Sequence, residues 1–453
     1  MAHYEVMILG GGAPGEHCAG ELAKAGKRVA IVERELVGGE CSYWACIPSK
    51  TLLRPGEALM HARRAPGAAE AICRDLDLGG ALSWRDYIVN GYDDSNQARW
   101  AEENGIDIVR GTGRIAGPGR VEVDGESHTA DHIVIATGSE PAFPPIEGLS
   151  ELDGVWTNRE ATGLKPDELP RTLLVLGGGP VGVEMAQALT RMGSSVVLVE
   201  GSDRVLSREP KALGDALGDA LRAEGIELHF GQYASRARRD VGDYVLEFPG
   251  GKVLRGDRLL VATGRRPRVE GIGLENIGVE PGKHGIEVDA RMSVTDRVWA
   301  IGDVTGIWPL TYVGKYQGRV VAANILGQAA QASYDAVPRV VFTDPQAVAV
   351  GDMEGEVTVT VSLDSVPRTS TYYRDYEHSG FLTLISDGER LTGAYALGPE
   401  AGEWLGQATL AIRARVPLAV LKDTIQPFPT FSEIYLDAML EMTAAVSTAP
   451  ARS

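Results

Sequence analysis

"YEVMILGGGAPGEHCAGELAKAGKRVAIVER" (residues 4–34) and "TLLVLGGGPVGVEMAQALTRMGSSVVLVEG" (residues 172–201) are two copies of one pattern. Each runs from an apolar strand through a G-x-G-x-x-G turn into an amphipathic helix, then into a second apolar strand ending in an acid. The glycines are Gly10, Gly12 and Gly15 in the first copy and Gly177, Gly179 and Gly182 in the second. The acids, Glu33 and Glu200, each stand 23 residues after the first glycine. A dinucleotide explains every part of this spacing. The first glycine makes the turn, the second lets backbone approach a pyrophosphate, and the third lets the helix pack on the strand. The phosphates then lie at a helix N-terminus, and the acid accepts hydrogen bonds from a ribose diol. A bare glycine turn is a weak signal, but strand, helix and acid together make each copy specific. Two copies imply two dinucleotides on two domains. Glu200 repels a 2′-phosphate and so favours NAD over NADP in the second copy, a preference that Arg204 in "GSDRVL" tempers.

Each copy is followed by a matching strand and glycine turn, "IVIATGSEP" (133–141) and "LLVATGRRPR" (259–268). "TDRVWAIGDVTG" (295–306) reads as a further strand ending at Gly302 and Asp303. A carboxylate there lies at the ligand-binding edge of an open α/β sheet, although an aspartate that only stabilises a turn would look the same. From about residue 333 the pattern changes. "VVFTDPQAVAVG", "GFLTLIS" and "RLTGAYALG" read as β-branched strands, followed by helical "EAGEWLGQATLAIRARV" and "FSEIYLDAMLEM". This part reads as an α+β domain for packing or assembly. The expected fold class is therefore α/β, with two Rossmann-like dinucleotide-binding domains and a C-terminal α+β domain. The expected boundaries are 1–148 for the first domain, 149–268 for the second, 269–332 for a return to the first, and 333–453 for the last.

The 453 residues carry a formal net charge of −18 without a local Lys/Arg cluster, which argues against a nucleic-acid partner. The chain opens directly into a strand-like segment and has no apolar run of about 18 residues, so neither secretion nor membrane spanning is expected. Four cysteines do not make a secreted disulfide framework, and a reducing, cytoplasmic location follows as the expectation.

Two of those cysteines, Cys41 and Cys46, stand in "GGECSYWACIPSK" (38–50). A structural staple here would close a short loop that constrains the unfolded chain little. A metal site would need further ligands, and neither a CxxC nor a His/Cys cluster accompanies the pair, so no metal is expected. Redox chemistry is the leading reading. Five residues of regular helix span about 7.5 Å along the axis, so the two sulfurs meet only where the helix is broken. Pro48 suits a first helical turn, which places a helix start between Cys46 and Pro48. Cys46 then lies at a helix N-terminus, where the dipole favours thiolate, and Lys50 one turn on adds positive charge. Cys18 and Cys73 lack such surroundings and read as buried hydrophobes.

In chain order, the two fingerprints, the C-x4-C-x-P-S-K segment, the ATG turns, "AIGD" and "FTDPQ" resemble the flavoprotein disulfide reductases. These are the class I pyridine nucleotide-disulfide oxidoreductases, among them lipoamide dehydrogenase, glutathione reductase and mercuric reductase. The resemblance covers nearly the whole chain. It implies FAD in the first fold, NAD(H) or NADP(H) in the second, and a homodimer made through the C-terminal domain. It also implies that Cys46 faces the flavin while Cys41 exchanges with substrate. Lys50 would lie near the flavin's reactive nitrogen, paired with Glu184 of "PVGVE". Asp303 would bind the ribityl chain, Gly39, Gly113, Thr137 and Gly138 would line the FAD, and Gly264 would belong to the second nucleotide. Hydride would pass from nicotinamide to flavin, and an electron pair from flavin to the disulfide. The Cys41 thiolate would then attack an oxidised substrate, a small-molecule or protein disulfide or another electron acceptor.

The chain departs from the family in three places. The family's C-terminal His-Pro-Thr-x-Ser-Glu segment, whose histidine is the acid/base and whose glutamate orients it, is here "PFPTFSE". Pro429, Thr430, Ser432 and Glu433 are kept, but Phe428 replaces the histidine and cannot move a proton. Mercuric reductase shares the loss of that histidine, yet relies on a C-terminal cysteine pair that this chain, ending "STAPARS", lacks. Tyr43 and Trp44 replace smaller residues between the cysteines, either shaping a pocket for a flat or large acceptor or packing an altered loop, with packing preferred. Arg268, where relatives often carry Asn, reads as a harmless exposed change. The resulting expectation is an FAD-dependent NAD(P)H dithiol/disulfide oxidoreductase acting on an unidentified substrate. The alternative is a flavin reductase of a non-thiol acceptor such as a quinone, a metal ion or dioxygen.

Overall fold

In the computed structural model, which describes residues 2–373 and 380–448, strand β1 (His3–Leu9) is buried over its last four residues, Val6 to Leu9. A strand buried on consecutive positions has both faces covered, as a parallel sheet between helices requires. Helix α1 (Ala13–Lys24) turns Gly15, Cys18, Ala19 and Leu22 inward, one face at helical spacing. Pro14 sits in its first turn, where the missing N–H breaks no helical bond. Strand β2 (Val29–Glu33) follows, and Ile8 and Ile31, side by side in the sheet and fully buried, each contribute about 1.5–3 kcal/mol by leaving water. The parallel part of this sheet runs Val298–Ala300, Glu126–Ile135, β1, β2, Ile106–Arg110. An antiparallel meander, Gly113–Gly117 and Arg120–Val123, joins it at Glu126–Ile135. The chain therefore returns to the first fold after the second, and helix Thr311–Ile325 packs against α1.

The second copy builds a four-stranded parallel sheet in the order Glu227–His229, Ser195–Val199, Thr172–Leu176, Arg258–Val261. A three-stranded antiparallel excursion, Arg236–Asp240, Asp243–Glu247 and Val253–Gly256, is inserted in it. The two nucleotide folds are braced against each other through their ATG turns. Ser139–Pro141 pairs with Arg265–Pro267. Thr137 Oγ1 donates to the Arg268 carbonyl and Thr263 Oγ1 to the Ala142 carbonyl, each at 2.8 Å, a reciprocal exchange.

The C-terminal part is a five-stranded antiparallel sheet in the order Arg339–Val341, Gln346–Gly351, Leu391–Gly398, Phe381–Ser386, Val357–Ser362, packed against helix Ile434–Thr448. Asp344 of "FTDPQ" stands where the parts meet. It is buried, and its Oδ2 lies 2.9 Å from Arg191 and 3.1 Å from Arg64. Burial pushes its carboxyl up, but His61, Arg64 and Arg191 outweigh this and hold it down at about 2. Among the described residues no helix is long and apolar enough to cross a membrane. Cys18 is buried as expected, whereas Cys73 is exposed, because its segment follows a short 3₁₀ turn that buries none of its own residues. The last residues of the cysteine-free tail, 449–453, lie outside the described residues.

Candidate active site

The two glycine turns obey the same constraints. A Cβ on Gly10 would overlap the Ala136 carbonyl oxygen, and one on Gly177 would overlap that of Ala262. Gly10 also has a φ of +112°, which side chains disfavour. Gly15 and Gly182 pack so closely on the carbonyls of Gly10 and Gly177 that no side chain fits. Gly12 and Gly179 open each cradle. The acids repeat the symmetry. Glu33 accepts from the N–H groups of Gly11 and Glu35, both at 2.8 Å. Glu200 accepts from Gly178 at 2.6 Å and Ser202 at 2.7 Å. Gly264 closes the matching turn of the second fold, where its carbonyl accepts from Ala142 at 2.9 Å.

Beside the first turn lies a cavity of about 530 Å³ whose wall includes Gly10, Gly12, Glu33 and Gly39 on one side and Gly113, Thr137, Gly138 and Asp303 on the other. Gly39 approaches so closely that an added Cβ would stand 2.8 Å from the Gly12 Cα. Asp303 accepts from Ser139 Oγ at 2.5 Å. Backbone donors at a helix N-terminus, an acid at the ribose distance and a side-chain-free cradle fit a dinucleotide such as FAD.

Cys41 lies in short helix α2 (Gly39–Tyr43), and Cys46 opens the 19-residue helix α3 (Cys46–Arg64). Trp44 and Ala45, at φ of −132° and −133°, break the helix between the two cysteines and leave their thiols close enough to act on each other's ionisation. Cys41 and Thr311 form part of the cavity wall, whereas Cys46, Lys50 and Glu184 do not. The resemblance turns Cys46 toward the flavin; here its sulfur lies 3.3 Å from Oγ1 of Thr311, which is part of the cavity wall. The hydrogen bond from the Cys41 thiol outweighs burial and, with Thr311 and Lys50, holds Cys46 down at about 6. The same contact, with burial, pushes Cys41 far above the ordinary thiol range. Lys50 Nζ donates to Glu184 Oε2 at 2.7 Å and lies 4.7 Å from the Phe342 ring centre. Glu184 is buried, and its other oxygen accepts from the Phe342 N–H at 2.9 Å.

Phe428 is 72 % exposed on the C-terminal domain, and one carboxylate oxygen of Glu433 is buried without a hydrogen-bond partner. Among the described residues of one chain, neither shares a hydrogen bond or ring contact with the dithiol segment. Tyr43 is buried, and Trp44 stacks on Tyr92 and carries the Arg159 guanidinium 4.0 Å above its ring centre, so both pack the loop. Arg268 is not an exposed change. Its side chain is 22 % exposed, it lines the cavity, and it stands 3.6 Å from Glu40, because the brace between the ATG turns folds residues 265–268 over the first nucleotide site. Thr311, Glu40 and Arg159 were not marked by any motif. Thr311 lies 265 residues from the sulfur it touches, and only the return of the chain to the first fold joins them.

Comparison with known proteins places this geometry. Residues 4–320 match the family model described as pyridine nucleotide-disulphide oxidoreductase, and residues 337–439 match that family's dimerisation domain. A dihydrolipoyl dehydrogenase of Thermus scotoductus is 34% identical over 452 residues, covering 97% of each chain. A mercuric reductase of Streptomyces lividans is 36% identical over 471 residues, covering 98% of this chain and 97% of its own. Among solved structures, the HOCl-induced flavoprotein disulfide reductase RclA from Escherichia coli is similar with a TM-score of 0.85 at 29% identity, over 96% of this chain and 99% of that one. Two glycine cradles, the first with a cysteine pair beside it, thus have one account that covers the chain almost end to end: it belongs to the pyridine nucleotide-disulfide oxidoreductases, enzymes that use FAD and NAD(P)H.

Proposed function

We propose that the protein is an NADH-preferring, FAD-dependent dithiol/disulfide oxidoreductase that works as a homodimer, with Cys41 and Cys46 as its redox pair. The observation that carries this reading is the asymmetry of the two sulfurs. Cys46 opens a long helix with Thr311 Oγ1 at its sulfur, a setting that favours the thiolate, while Cys41 forms part of the cavity wall. Bound FAD supplies hydride acceptance from NAD(P)H and delivery of an electron pair to the disulfide. The chain's own groups manage the charge and the proton. Lys50, fixed by Glu184, places a cation near Cys46, and Thr311 donates to the thiolate. Cys41 must lose its proton to attack a substrate, and the chain carries Phe428 where the family's histidine would take it. In the second fold Glu200 favours NADH, and Arg204, bonded to Asp203 and to the carbonyls of Ser207 and Glu209, is held away from a 2′-phosphate. Exposed Leu410, Ile425 and Phe428, on the part that matches a dimerisation domain, support a second copy there.

Phe428 favours one further reading, electron delivery to a non-thiol acceptor, since loss of acid–base help costs thiol exchange about 10²- to 10⁴-fold. The E. coli relative has also been solved as a Cu(II) complex, which keeps a metal ion among the acceptors to test. Anaerobic NADH titration of the holoenzyme tests the main reading: a long-wavelength thiolate-to-flavin band should appear at two-electron reduction. Its absence would remove the dithiol from the electron path. Cys41→Ser separates the two acceptor classes, because reduction of a quinone or metal ion that survives it does not pass through thiol exchange.

A further inference from the structure

Two of the departures noted above, Trp44 and Arg268, are joined by one network beside the cysteines, through Arg159 and Glu40. Arg159, on helix Asn158–Gly163, donates through Nε to Glu40 Oε1 at 2.7 Å and through Nη2 to Glu35 at 2.8 Å. Its guanidinium carbon stands over the Trp44 ring, 4.0 Å from the ring centre. Asn158 Nδ2 reaches Glu40 Oε2 at 3.1 Å and the Trp44 carbonyl at 2.7 Å, and Thr162 Oγ1 reaches that carbonyl at 3.2 Å. Arg265 secures Asn158 Oδ1 at 3.1 Å, and Arg265 and Arg268 stand as further cations 3.9 and 3.6 Å from Glu40. Glu40 immediately precedes Cys41, and Trp44 stands two residues before Cys46. The network therefore holds the loop at the residue before Cys41 and at Trp44, where the helix breaks ahead of Cys46.

We propose that Arg159 is a positioning residue that clamps the loop between the two cysteines and so sets the effective concentration of one sulfur at the other. This rests on the dithiol reading above. Closing the disulfide removes two protons and two electrons from the pair; opening it returns them. In the open form, the fraction of time the sulfurs spend within bonding reach fixes how strongly the closed form is favoured, by the logic of any intramolecular reaction. A charged fork that also stands over an aromatic ring restrains both position and rotation, which a lysine ammonium does less well. The clamp is also carried by the second nucleotide fold, since the Trp156 N–H donates to Leu259 and its carbonyl accepts from Val261. The loop thus takes its geometry from outside the first domain.

The test equilibrates holoenzyme anaerobically with graded mixtures of dithiothreitol and its cyclic disulfide. Dithiothreitol gives up two electrons and two protons to Cys41–Cys46 as its own ring closes. Acid quench, alkylation and mass analysis then read the pair, with Cys18 and Cys73 as internal standards. Arg159→Met should shift the equilibrium toward the dithiol by about three- to tenfold, and Arg159→Lys should recover part of that shift. Trp44→Leu, which removes the stacking face and no charge, should move it in the same direction by less and serves if Arg159→Met does not retain flavin. Variants that keep flavin and titrate within about 1.5-fold of the wild type would overturn the clamp. A wild-type pair that never closes under oxidising mixtures would instead overturn the dithiol reading, so the two failures are distinct.

Discussion

The first and second nucleotide folds carry the same turn, the same close glycine contacts and the same acid bridging two backbone N–H groups, yet only one of them meets the cysteines. After Glu33 the chain runs through Glu35 and doubles back, so that Gly38 bridges to Gly12 and Gly39 closes on the cradle with Cys41 two residues on. After Glu200 it turns at once, through Ser202, and Arg204 is drawn onto its own backbone. The repeated pattern specifies a phosphate cradle and a ribose acid. The chemistry is specified by what the next fifteen or so residues lay over that cradle, and beyond the shared N–H groups of Glu35 and Ser202 the copies part there.

Adding one methyl group to each copy separates their duties and should give the largest effect. Gly182→Ala drives a Cβ into the Gly177 carbonyl, and the helix cannot withdraw without moving the second cradle. The expected product keeps its flavin but is reduced by NADH about a hundredfold more slowly, a loss of roughly 2.7 kcal/mol, in anaerobic stopped-flow. Gly15→Ala, the mirror change, should yield protein without flavin. Flavin loss from Gly182→Ala would break the division of labour.

A smaller effect tests the sulfurs of the first fold. In the reduced enzyme, Cys46 should be alkylated by iodoacetamide with a midpoint near pH 6, while Cys41 stays a thiol through and beyond the ordinary range. The sign follows from the partners: donors and a cation favour the anion at Cys46, so its reactivity appears as pH rises through that value and is lost below it. Lys50→Met removes one of those partners. Because Lys50 is about one-third exposed and screened, alkylation at pH 6 should slow only about threefold. An unchanged midpoint would assign the thiolate to Cys41, Thr311 and the helix terminus alone.

How much of this was legible depends on the range of the contact that makes each feature. The two strand–turn–helix units are local, and the 23-residue spacing was enough. The helix start at Cys46 follows from Pro48 two residues on. Strand Val357–Ser362 went unread, although its alternation of Val357, Val359 and Val361 with Thr358, Thr360 and Ser362 was plain. The excursion at Arg236–Asp240 hides behind charges, because that strand is half exposed and takes its register from its neighbour. In the site, Lys50 and Glu184 lie 134 residues apart and were paired through the family resemblance. Thr311, Glu40, Arg159 and Arg268 meet through contacts between domains, for which no spacing rule exists. Arg268 was misread for that reason: its exposure depends on a brace that only the fold creates.

The last test concerns what the second copy recognises. Glu200, the acid expected to face the ribose, has both oxygens bonded to backbone N–H groups, which fixes its position. Glu200→Ala should raise the NADPH-to-NADH ratio of kcat/KM about tenfold, the effect of removing one repulsive contact worth about 1.4 kcal/mol. Arg204→Leu should change that ratio by less than about twofold, within the range of surface charge effects, because its guanidinium is already bonded to Asp203, Ser207 and Glu209. A tenfold fall in NADPH use by Arg204→Leu would mean that the arginine swings out to meet a phosphate. The two copies would then differ in how they choose a nucleotide as well as in the chemistry laid over it.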